Sequence, residues 1–260
     1  MTMIKIKNNQ KKNLFSDLKK ELDTNYDSNL IYKTYFKKNK KINILDVPNS
    51  NLIFSSVLCL FSVFEDIKSI KVILTLRSRK LKSHANQISF PGGKMEEKDG
   101  NYENCAIRET YEEIGINSKD IEIIGRTNKY TTGTGFLIQP IVARLKKRQI
   151  YKINTNEVQK VITFPMEYLF LNKNLTLSHF VNNINKKKFF YYDIKWSDIR
   201  IWGATAMILI DLSNSLMPCW TTIFSSDGSY MKSMLSLALI RSLALASVTI
   251  KSFAGLFKLK

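Results

Sequence analysis

Three glutamates at helical spacing constrain this chain more than any other feature of its sequence. Glu109, Glu112 and Glu113 stand at positions i, i+3 and i+4, so on a helix all three carboxylates point to one side. Like charges at this spacing repel by about 0.2–0.5 kcal/mol per exposed pair, and a bound cation would reverse that cost. Oxygen ligands suit a hard divalent ion such as Mg²⁺ or Mn²⁺. The other side of the helix carries apolar residues that predict a buried face: Ile107, Tyr111 and Ile114.

On its own this pattern fits a solvated acidic face equally well, but the flanking residues favour a metal site. Gly115 directly follows the pattern and predicts the end of the helix. Upstream, the turn at Gly92 and Gly93 lets a backbone carbonyl approach a metal, because no Cβ stands in the way. The whole stretch from 92 to 116 resembles the Nudix box, G-x5-E-x7-R-E-U-x-E-E-x-G-U, with residues 108–116 filling its second half. Counted back from Arg108, the first glutamate of the box falls on Gly100, so this box is one residue longer than usual.

The run from 73 to 93 adds a second resemblance. It is similar to the signature of the coenzyme A pyrophosphatase branch of Nudix hydrolases, L-L-T-x-R-S-x-x-L-R-x-H-x-G-Q-V-x-F-P-G-G, which also has the longer box. Lys82 stands where that branch usually has arginine, and Asn86 where it usually has glycine. Asparagine tolerates positive φ, so a turn can survive there. The resemblance covers residues 45–213 and implies the Nudix fold of the α/β class, an α/β/α sandwich with a mixed β-sheet.

The resemblance also implies a catalytic centre. Glu109 and Glu113 are the first candidates for metal ligands, with Glu112 and the carbonyl of Gly93 as further ligands. Glu109 and Glu112 are the candidates for the catalytic base, and the sequence does not separate the two roles. We expect Arg108 to fix a carboxylate through a bidentate pair.

Candidate substrate-binding residues lie on both sides of the box. Arg77, Arg79 and Lys82 are basic residues that fit the 3′-phosphate of coenzyme A. In this branch the loop over 131–136 lies above the substrate, which makes Tyr130 and Phe136 candidates for stacking on adenine. Glu157 matches a position where these enzymes often carry an acidic residue near the metals. For each residue a plain solvated or turn role is the alternative.

The length of the chain predicts one domain with extensions rather than two full domains. We expect a basic N-terminal extension over 1–45, a Nudix hydrolase domain over 46–213 and a helical C-terminal extension of unknown role over 214–260. An amphipathic helix is predicted around Phe15, Leu18 and Leu22; the resemblance implies that it packs on the domain, and an independent regulatory arm is the alternative. Arg241 interrupts the apolar run 233–250 at a cost of about 2.5–3.5 kcal/mol in a bilayer, which disfavours a membrane span. For this segment a helix packed on the domain and a basic helix that binds a surface are the two alternatives.

Apolar periodicity predicts the other elements. Trp202 is expected in the core, and Thr205 is expected to cap or pack the last helix. The first two predicted strands are expected to form a hairpin. Strands are predicted over 51–64, 71–76, 88–90, 121–126, 137–145, 156–165, 189–195 and 199–202, with helices over 102–114, 166–170 and 203–212.

The formal net charge of +18 attracts anionic partners. The lysines are spread through the chain among asparagines and isoleucines, a bias that an AT-rich coding sequence produces, and no nucleic-acid module accompanies them. We therefore expect a small anionic substrate rather than nucleic acid. The three cysteines are an odd number at scattered positions, and no apolar segment of a secretory signal follows the N-terminus, so a cytoplasmic location is expected.

These observations favour a metal-dependent hydrolase that cleaves coenzyme A or its thioesters to 4′-phosphopantetheine and 3′,5′-ADP. A Nudix diphosphatase for ADP-ribose, NADH or nucleotides is an alternative. A degenerate Nudix module that binds nucleic acid is an alternative of another class, and the intact run 108–116 argues against it. Members of the family often dimerise, so a homodimer also stays open.

Overall fold

The computed structural model describes residues 8–28, 30–33, 52–62, 70–170, 174–181, 186 and 188–224. The helix predicted over 233–250 and the expected domain boundary at residue 45 lie outside these residues. The helices are α1 (Asn8–Asn25), α2 (Tyr102–Ile114) and α3 (Gly203–Phe224), and short 3₁₀ turns cover Glu97–Asp99, Ser118–Asp120 and Met166–Phe170. The strands are β1 (Ile31–Lys33), β2 (Ile53–Ser62), β3 (Lys71–Arg77), β4 (Ile88–Ser89), β5 (Gly92–Lys94), β6 (Ile121–Arg126), β7 (Lys129–Thr131), β8 (Phe136–Leu145), β9 (Val158–Pro165), β10 (Leu175–Val181), β11 (Lys188–Trp196) and β12 (Ile199–Trp202).

A mixed sheet forms the centre of the fold. Among the described residues nine strands join it, in the order β1-β7-β8-β2-β3-β4, with β5 beside β2, β6 beside β8 and β9 beside β3. Strands β2 and β8 run parallel, whereas β3 is antiparallel to both β2 and β9. The predicted hairpin is confirmed where Phe61 pairs with Val72 and Ser62 with Lys71.

The central strand β2 shows why the sheet is covered on both faces. Its side chains alternate between two hydrophobic cores, as the period of two in a strand requires. Leu58 and Leu60 pack in the core that includes residues of α2. Cys59 and Phe61 pack in the larger core that includes residues of α1 and α3. The structure therefore confirms the predicted α/β/α sandwich with a mixed sheet.

The N-terminal helix belongs to this sandwich. Leu14, Leu18 and Leu22 of α1 are buried in the larger core together with residues of α3. After the helix, Ile31–Lys33 adds a parallel strand to β7. The described part of the predicted N-terminal extension thus packs on the domain, as the resemblance implied.

The C-terminal part of the domain differs from the prediction in three ways. Strand β10 was not predicted, and with β11 and β12 it forms a separate three-stranded sheet. Helix α3 continues past 212 to Phe224. Trp202 is 39% exposed, so its assignment to the core was wrong: it lies on the face of the small sheet that does not pack on α3. In the described part of the chain, no helix combines the length and apolar character that a membrane crossing requires.

Leu18→Ala tests whether α1 is an integral part of the domain. Leu18 is fully buried, so we expect the free energy of unfolding to fall by about 2–5 kcal/mol. Lys20→Ala is the control, because the Lys20 side chain is exposed and its ion pair with Asp17 lies at the surface. Urea denaturation measures both. Equal effects of the two substitutions would show that α1 does not contribute to the core.

Candidate metal-binding active site

Helix α2 presents the catalytic candidates, and its ends agree with the prediction. The side chain of Asn101 caps the N-terminus by accepting a hydrogen bond from the backbone N–H of Asn104 at 2.8 Å. At the other end Gly115 adopts the left-handed conformation, with φ of 73°, and its N–H donates to the carbonyl of Tyr111. A Cβ at Gly115 would also lie 2.6 Å from the Cβ of Lys152. Glycine is therefore required there by both the backbone and the neighbouring chain.

Three carboxylates from two parts of the chain converge beside α2. Oxygen atoms of Glu109, Glu113 and Glu157 all lie within 4.8 Å of one another; we call these residues the carboxylate trio. Glu157 precedes β9, in a segment fixed by several hydrogen bonds. Asn154 donates its side-chain amide to Glu157 at 3.1 Å and its backbone N–H to the carbonyl of Glu113 at 2.9 Å. These bonds tie the loop before β9 to the end of α2.

The environment of Glu113 makes this trio a fit for a divalent cation. The Glu113 side chain is 2% exposed, and its Oε2 has no hydrogen-bond partner among the described residues. Burial raises the pKa of Glu113 to about 8, although the guanidinium of Arg77, 3.8 Å away, opposes that shift. Burial also raises the pKa of Glu109. An unpartnered buried carboxylate oxygen is costly, and an all-oxygen donor set is what Mg²⁺ and Mn²⁺ prefer.

Gly93 brings the backbone of β5 against the trio. It pairs with Ser56 of β2, and a Cβ added to it would lie 2.5 Å from the carboxylate carbon of Glu109. Any other side chain would displace that carboxylate. The backbone at Gly93 therefore lies close to the carboxylates, as expected. That the carbonyl of Gly93 binds a metal stays a prediction.

Arg108 pairs with the carboxylates of Asp99, Glu109 and Glu112. It forms the predicted bidentate pair with Asp99, with Nε–Oδ1 at 2.7 Å and Nη2–Oδ2 at 3.0 Å. Its Nη1 also donates to Glu109 at 3.0 Å and to Glu112 at 2.9 Å. Hydrogen bonds from this guanidinium hold the pKa of Asp99 at about 2. Arg108 thus links the turn before α2 to the carboxylates on the helix.

The structure corrects the reading of the box at Gly100. The carboxylate that pairs with Arg108 comes from Asp99 and not from position 100, where the box has its first glutamate. Oδ2 of Asp99 also accepts a hydrogen bond from the backbone N–H of Glu96 at 2.8 Å. Counting forward from Gly93 with five residues between, instead of back from Arg108, leads to Asp99. The one extra residue of this box therefore lies between Asp99 and Arg108.

Glu112 lies apart from the trio. Its side chain is 44% exposed and pairs with Arg108. The sequence predicted Glu112 as the third ligand beside Glu109 and Glu113, but the third carboxylate of the trio comes from Glu157. A role of Glu112 as ligand or base stays a prediction.

A cavity of about 710 Å³ reaches Arg77 and Gly93, which adjoin Glu113 and Glu109, although none of the three carboxylates is among the described residues that line it. Of the predicted substrate-binding residues, Arg77 and Phe136 line it, together with Gly93 and the loop over 132–134. Arg79 and Lys82 are exposed and are not among the described residues that line this cavity. Asn86 adopts φ of 61°, so the turn expected at this position is present.

Tyr130 cannot stack on a base as the sequence suggested. Its ring is fully buried, and its hydroxyl donates a hydrogen bond to Asp211 of α3. The ring of Tyr32 covers it, with the centroids 5.7 Å apart. Tyr130 therefore joins the sheet to α3 and is closed to the cavity.

Comparisons with known proteins agree with this geometry. A family model described as the NUDIX domain matches residues 56–181. The chain is 32% identical over 130 residues to the peroxisomal coenzyme A diphosphatase ndx-8 of Caenorhabditis elegans, covering 49% of this chain and 56% of that protein. It is 33% identical over 158 residues to the chloroplastic Nudix hydrolase 22 of Arabidopsis thaliana, covering 59% and 52%. It is 32% identical over 146 residues to the uncharacterized Nudix hydrolase NudL of Photorhabdus laumondii, covering 56% and 76%.

The chain thus spans about half the length of the first two relatives and about three quarters of the third. The matched region of the family model contains α2 and all three residues of the carboxylate trio.

Proton release tests the carboxylate trio as a cation site. With a pKa of about 8, Glu113 is mostly protonated at pH 7, so a cation that binds its carboxylate must displace the proton. We expect Mn²⁺ binding at pH 7 to release close to one proton from this residue. Titration calorimetry in buffers of different ionisation enthalpy measures it.

Glu113→Gln should bind Mn²⁺ more weakly and release correspondingly fewer protons. Glu103→Gln is the matched control, since Glu103 lies on the same helix, pairs with Arg126 at the surface and does not belong to the carboxylate trio. Unchanged proton release in Glu113→Gln would contradict the assignment.

Asp99→Asn tests the pair with Arg108. Hydrogen bonds to charged groups contribute about 1.5–3 kcal/mol, and we expect a loss of this size in the free energy of unfolding at pH 7. Because the folded-state pKa of Asp99 is lowered to about 2, its contribution is present above the unfolded pKa and is lost as pH falls toward 2. The difference between wild type and variant should therefore shrink between about pH 4 and pH 2. Glu97→Gln, exposed in the same turn, should show no such difference.

Proposed function

The chain belongs to the Nudix hydrolase family, and from that premise we propose that it is a metal-dependent diphosphatase of coenzyme A or its thioesters. The products would be 4′-phosphopantetheine and 3′,5′-ADP. The observation that carries the proposal is the carboxylate trio beside a cavity large enough for a ligand, since pockets for small molecules and cofactors have volumes of roughly 300–1,000 Å³.

Glu109, Glu113 and Glu157 would hold the divalent ion, with the carbonyl of Gly93 as a further ligand. Bound there, Mg²⁺ or Mn²⁺ would polarise the phosphoryl oxygens and lower the pKa of a water molecule. The geometry of the three carboxylates and the orphaned oxygen of Glu113 support this donor set.

The protein groups around the trio have separate tasks. Arg108 donates to Oε1 of Glu109, which orients that carboxylate and leaves its other oxygen for a proton or a ligand. In this proposal the other oxygen binds the ion, and a role of Glu109 as base is the alternative that the sequence left open. Arg77 lies between Glu113 and the cavity and is placed to bind the pyrophosphate rather than a remote phosphate.

Two observations support coenzyme A as the substrate. The signature over 73–93 resembles that of the coenzyme A branch, and the Caenorhabditis elegans relative carries the name of a coenzyme A diphosphatase. The basic loop after β3 carries Arg79 and Lys82 outside the cavity, where we propose that they contact the 3′-phosphate. The carboxylate trio argues against a degenerate module that only binds nucleic acid. A cytoplasmic location remains part of the proposal, supported by the three free cysteines.

A substrate panel tests this proposal. Purified protein with Mg²⁺ or Mn²⁺ is incubated with coenzyme A, 3′-dephospho-coenzyme A, ADP-ribose and NADH, and the products are separated by chromatography. We expect 4′-phosphopantetheine and 3′,5′-ADP, with a preference for the substrate that bears the 3′-phosphate. Intact coenzyme A with both metals would refute the proposal, and equal rates with ADP-ribose or NADH would favour the broader diphosphatase.

Glu113→Gln should abolish most of this activity. Loss of outer-shell partners alone reduces activity by about 10–100-fold, so removal of a ligand should reduce kcat/KM by more than about 100-fold. Glu103→Gln should retain wild-type kcat/KM.

A further inference from the structure

Two arginines lie beside the carboxylates of the site, and they are held in different ways. Arg108 is a fixed partner, because its guanidinium forms a bidentate pair with Asp99 at 2.7 and 3.0 Å. Arg77 forms a looser ion pair, in which its Nη1 lies 3.8 Å from Oε1 of Glu113. That distance exceeds the range of a hydrogen bond. Arg77 therefore neutralises Glu113 by charge, without a hydrogen bond between these two atoms.

Both members of the pair between Arg77 and Glu113 keep polar atoms without partners. Among the described residues, Nε of Arg77 and Oε2 of Glu113 are buried and take part in no hydrogen bond. A buried donor and a buried acceptor left unpaired cost stability. A permanent structural pair avoids that cost by adopting bidentate geometry, as Arg108 does with Asp99. The geometry of the looser pair leaves both groups able to take a further partner.

The backbone of Arg77, in contrast, is firmly held. Its N–H donates to the carbonyl of Gln87 at 2.9 Å, and its carbonyl accepts from the N–H of Asn86 at 3.2 Å and from the side-chain amide of Gln159 at 3.0 Å. The pairing of β3 with β9 shifts register between Leu76 and Arg77. Irregularities of this kind redirect a side chain and are frequent beside active sites. The fold thus fixes the origin of the side chain more tightly than its charged end.

Arg77 contacts both the carboxylate trio and the cavity. Its guanidinium pairs with Glu113 of the trio, and the same side chain lines the cavity together with Gly93. A cation held by the trio would repel this guanidinium, because both would lie close to Glu113. The attraction of Arg77 to Glu113 is then weakened, and an anionic group in the cavity becomes its stronger partner.

We propose that Arg77 changes partner: it neutralises Glu113 before a divalent cation binds, and it pairs with the diphosphate of the substrate afterwards. Arg77 thus opposes the cation when no substrate is present and attracts the substrate once the cation is bound. This inference rests on the carboxylate trio as the metal site of the proposed function. It adds an order of binding, in which the cation precedes the substrate, and it does not depend on which diphosphate is cleaved.

The first measurement is the affinity for Mn²⁺ in the absence of any nucleotide, by titration calorimetry at pH 7. Removal of the guanidinium favours both the proton on Glu113 and a divalent ion, because both are positive. The ion carries twice the charge of the proton that it displaces, so the balance shifts toward the ion. Arg77→Met, which keeps an unbranched side chain without charge, should bind Mn²⁺ at least about threefold more tightly than wild type.

The second measurement should change in the opposite direction. The probe is methylene-ADP, in which a methylene group replaces the bridging oxygen of the diphosphate, and it is titrated with Mn²⁺ at saturation in every sample. Loss of hydrogen bonds to a charged group should raise its Kd about 10–100-fold in Arg77→Met. Arg77→Lys keeps the charge without the planar guanidinium. It should therefore keep the wild-type affinity for Mn²⁺ and show an intermediate Kd for methylene-ADP.

Arg126→Met is the matched control. It removes the same charge from the surface, where Arg126 pairs with Glu103 at 3.1 Å. Both affinities should stay at their wild-type values in this variant, which separates the effect of Arg77 from that of the net charge of the chain. Thermal unfolding should show all three variants folded.

Two other outcomes would overturn the inference. Tighter Mn²⁺ binding in Arg77→Met with an unchanged Kd for methylene-ADP would make Arg77 a permanent counter-ion of Glu113. A higher Kd for methylene-ADP with unchanged or weaker Mn²⁺ binding would make Arg77 a substrate ligand only. Neither measurement uses coenzyme A, so the substrate panel decides the proposed function separately.

Discussion

The burial of neighbouring carboxylates, with Glu113 the most buried, is the constraint on which the rest of this structure depends. Glu109 and Glu113 stand one turn apart on α2, and Glu157 is brought to them from the start of β9. In the buried position of Glu113 the charged form is disfavoured, as its raised pKa shows. The fold nevertheless keeps the three oxygens together, with Arg108 and Arg77 supplying positive charge from two sides. Such an arrangement costs stability in the free protein and favours a cation in return.

Each part of the sandwich helps to hold that arrangement. The face of α2 opposite the glutamates packs on β2 and β8 through residues such as Ala106 and Ile114, so the helix cannot rotate to separate its charges. The loop before β9 is bonded to the last turn of the helix through Asn154. On the other face of the sheet, α1 and α3 complete the larger core and support the small sheet beside the cavity. The proposed site thus takes two carboxylates from α2 and one from a turn that hydrogen bonds tie to the end of that helix.

The bounds of helix α2 could be predicted from the sequence because the information there is local, but Tyr111, predicted on its buried face, is 56% exposed. Caps, apolar spacing and carboxylate spacing all act within one turn, and α2 has the bounds that they predict. Glu157 was found only through the resemblance, since the contact with Glu113 joins distant parts of the chain. Tyr130 and Trp202 were misassigned for a related reason: an aromatic residue can be buried or exposed on either face of a strand, and tertiary packing decides which. Strand β10 was missed because its residues alternate weakly and its partner, β11, supplies the pairing.

The central claim is that Glu109, Glu113 and Glu157 together hold a divalent cation. The most direct measurement is the anomalous difference density of crystals grown with Mn²⁺. The account predicts a peak enclosed by the three carboxylates, with oxygen distances of about 2.0–2.2 Å, typical of small divalent ions bound by carboxylates. A peak bound by Glu112 without Glu157, or density only at other surface carboxylates, would contradict it.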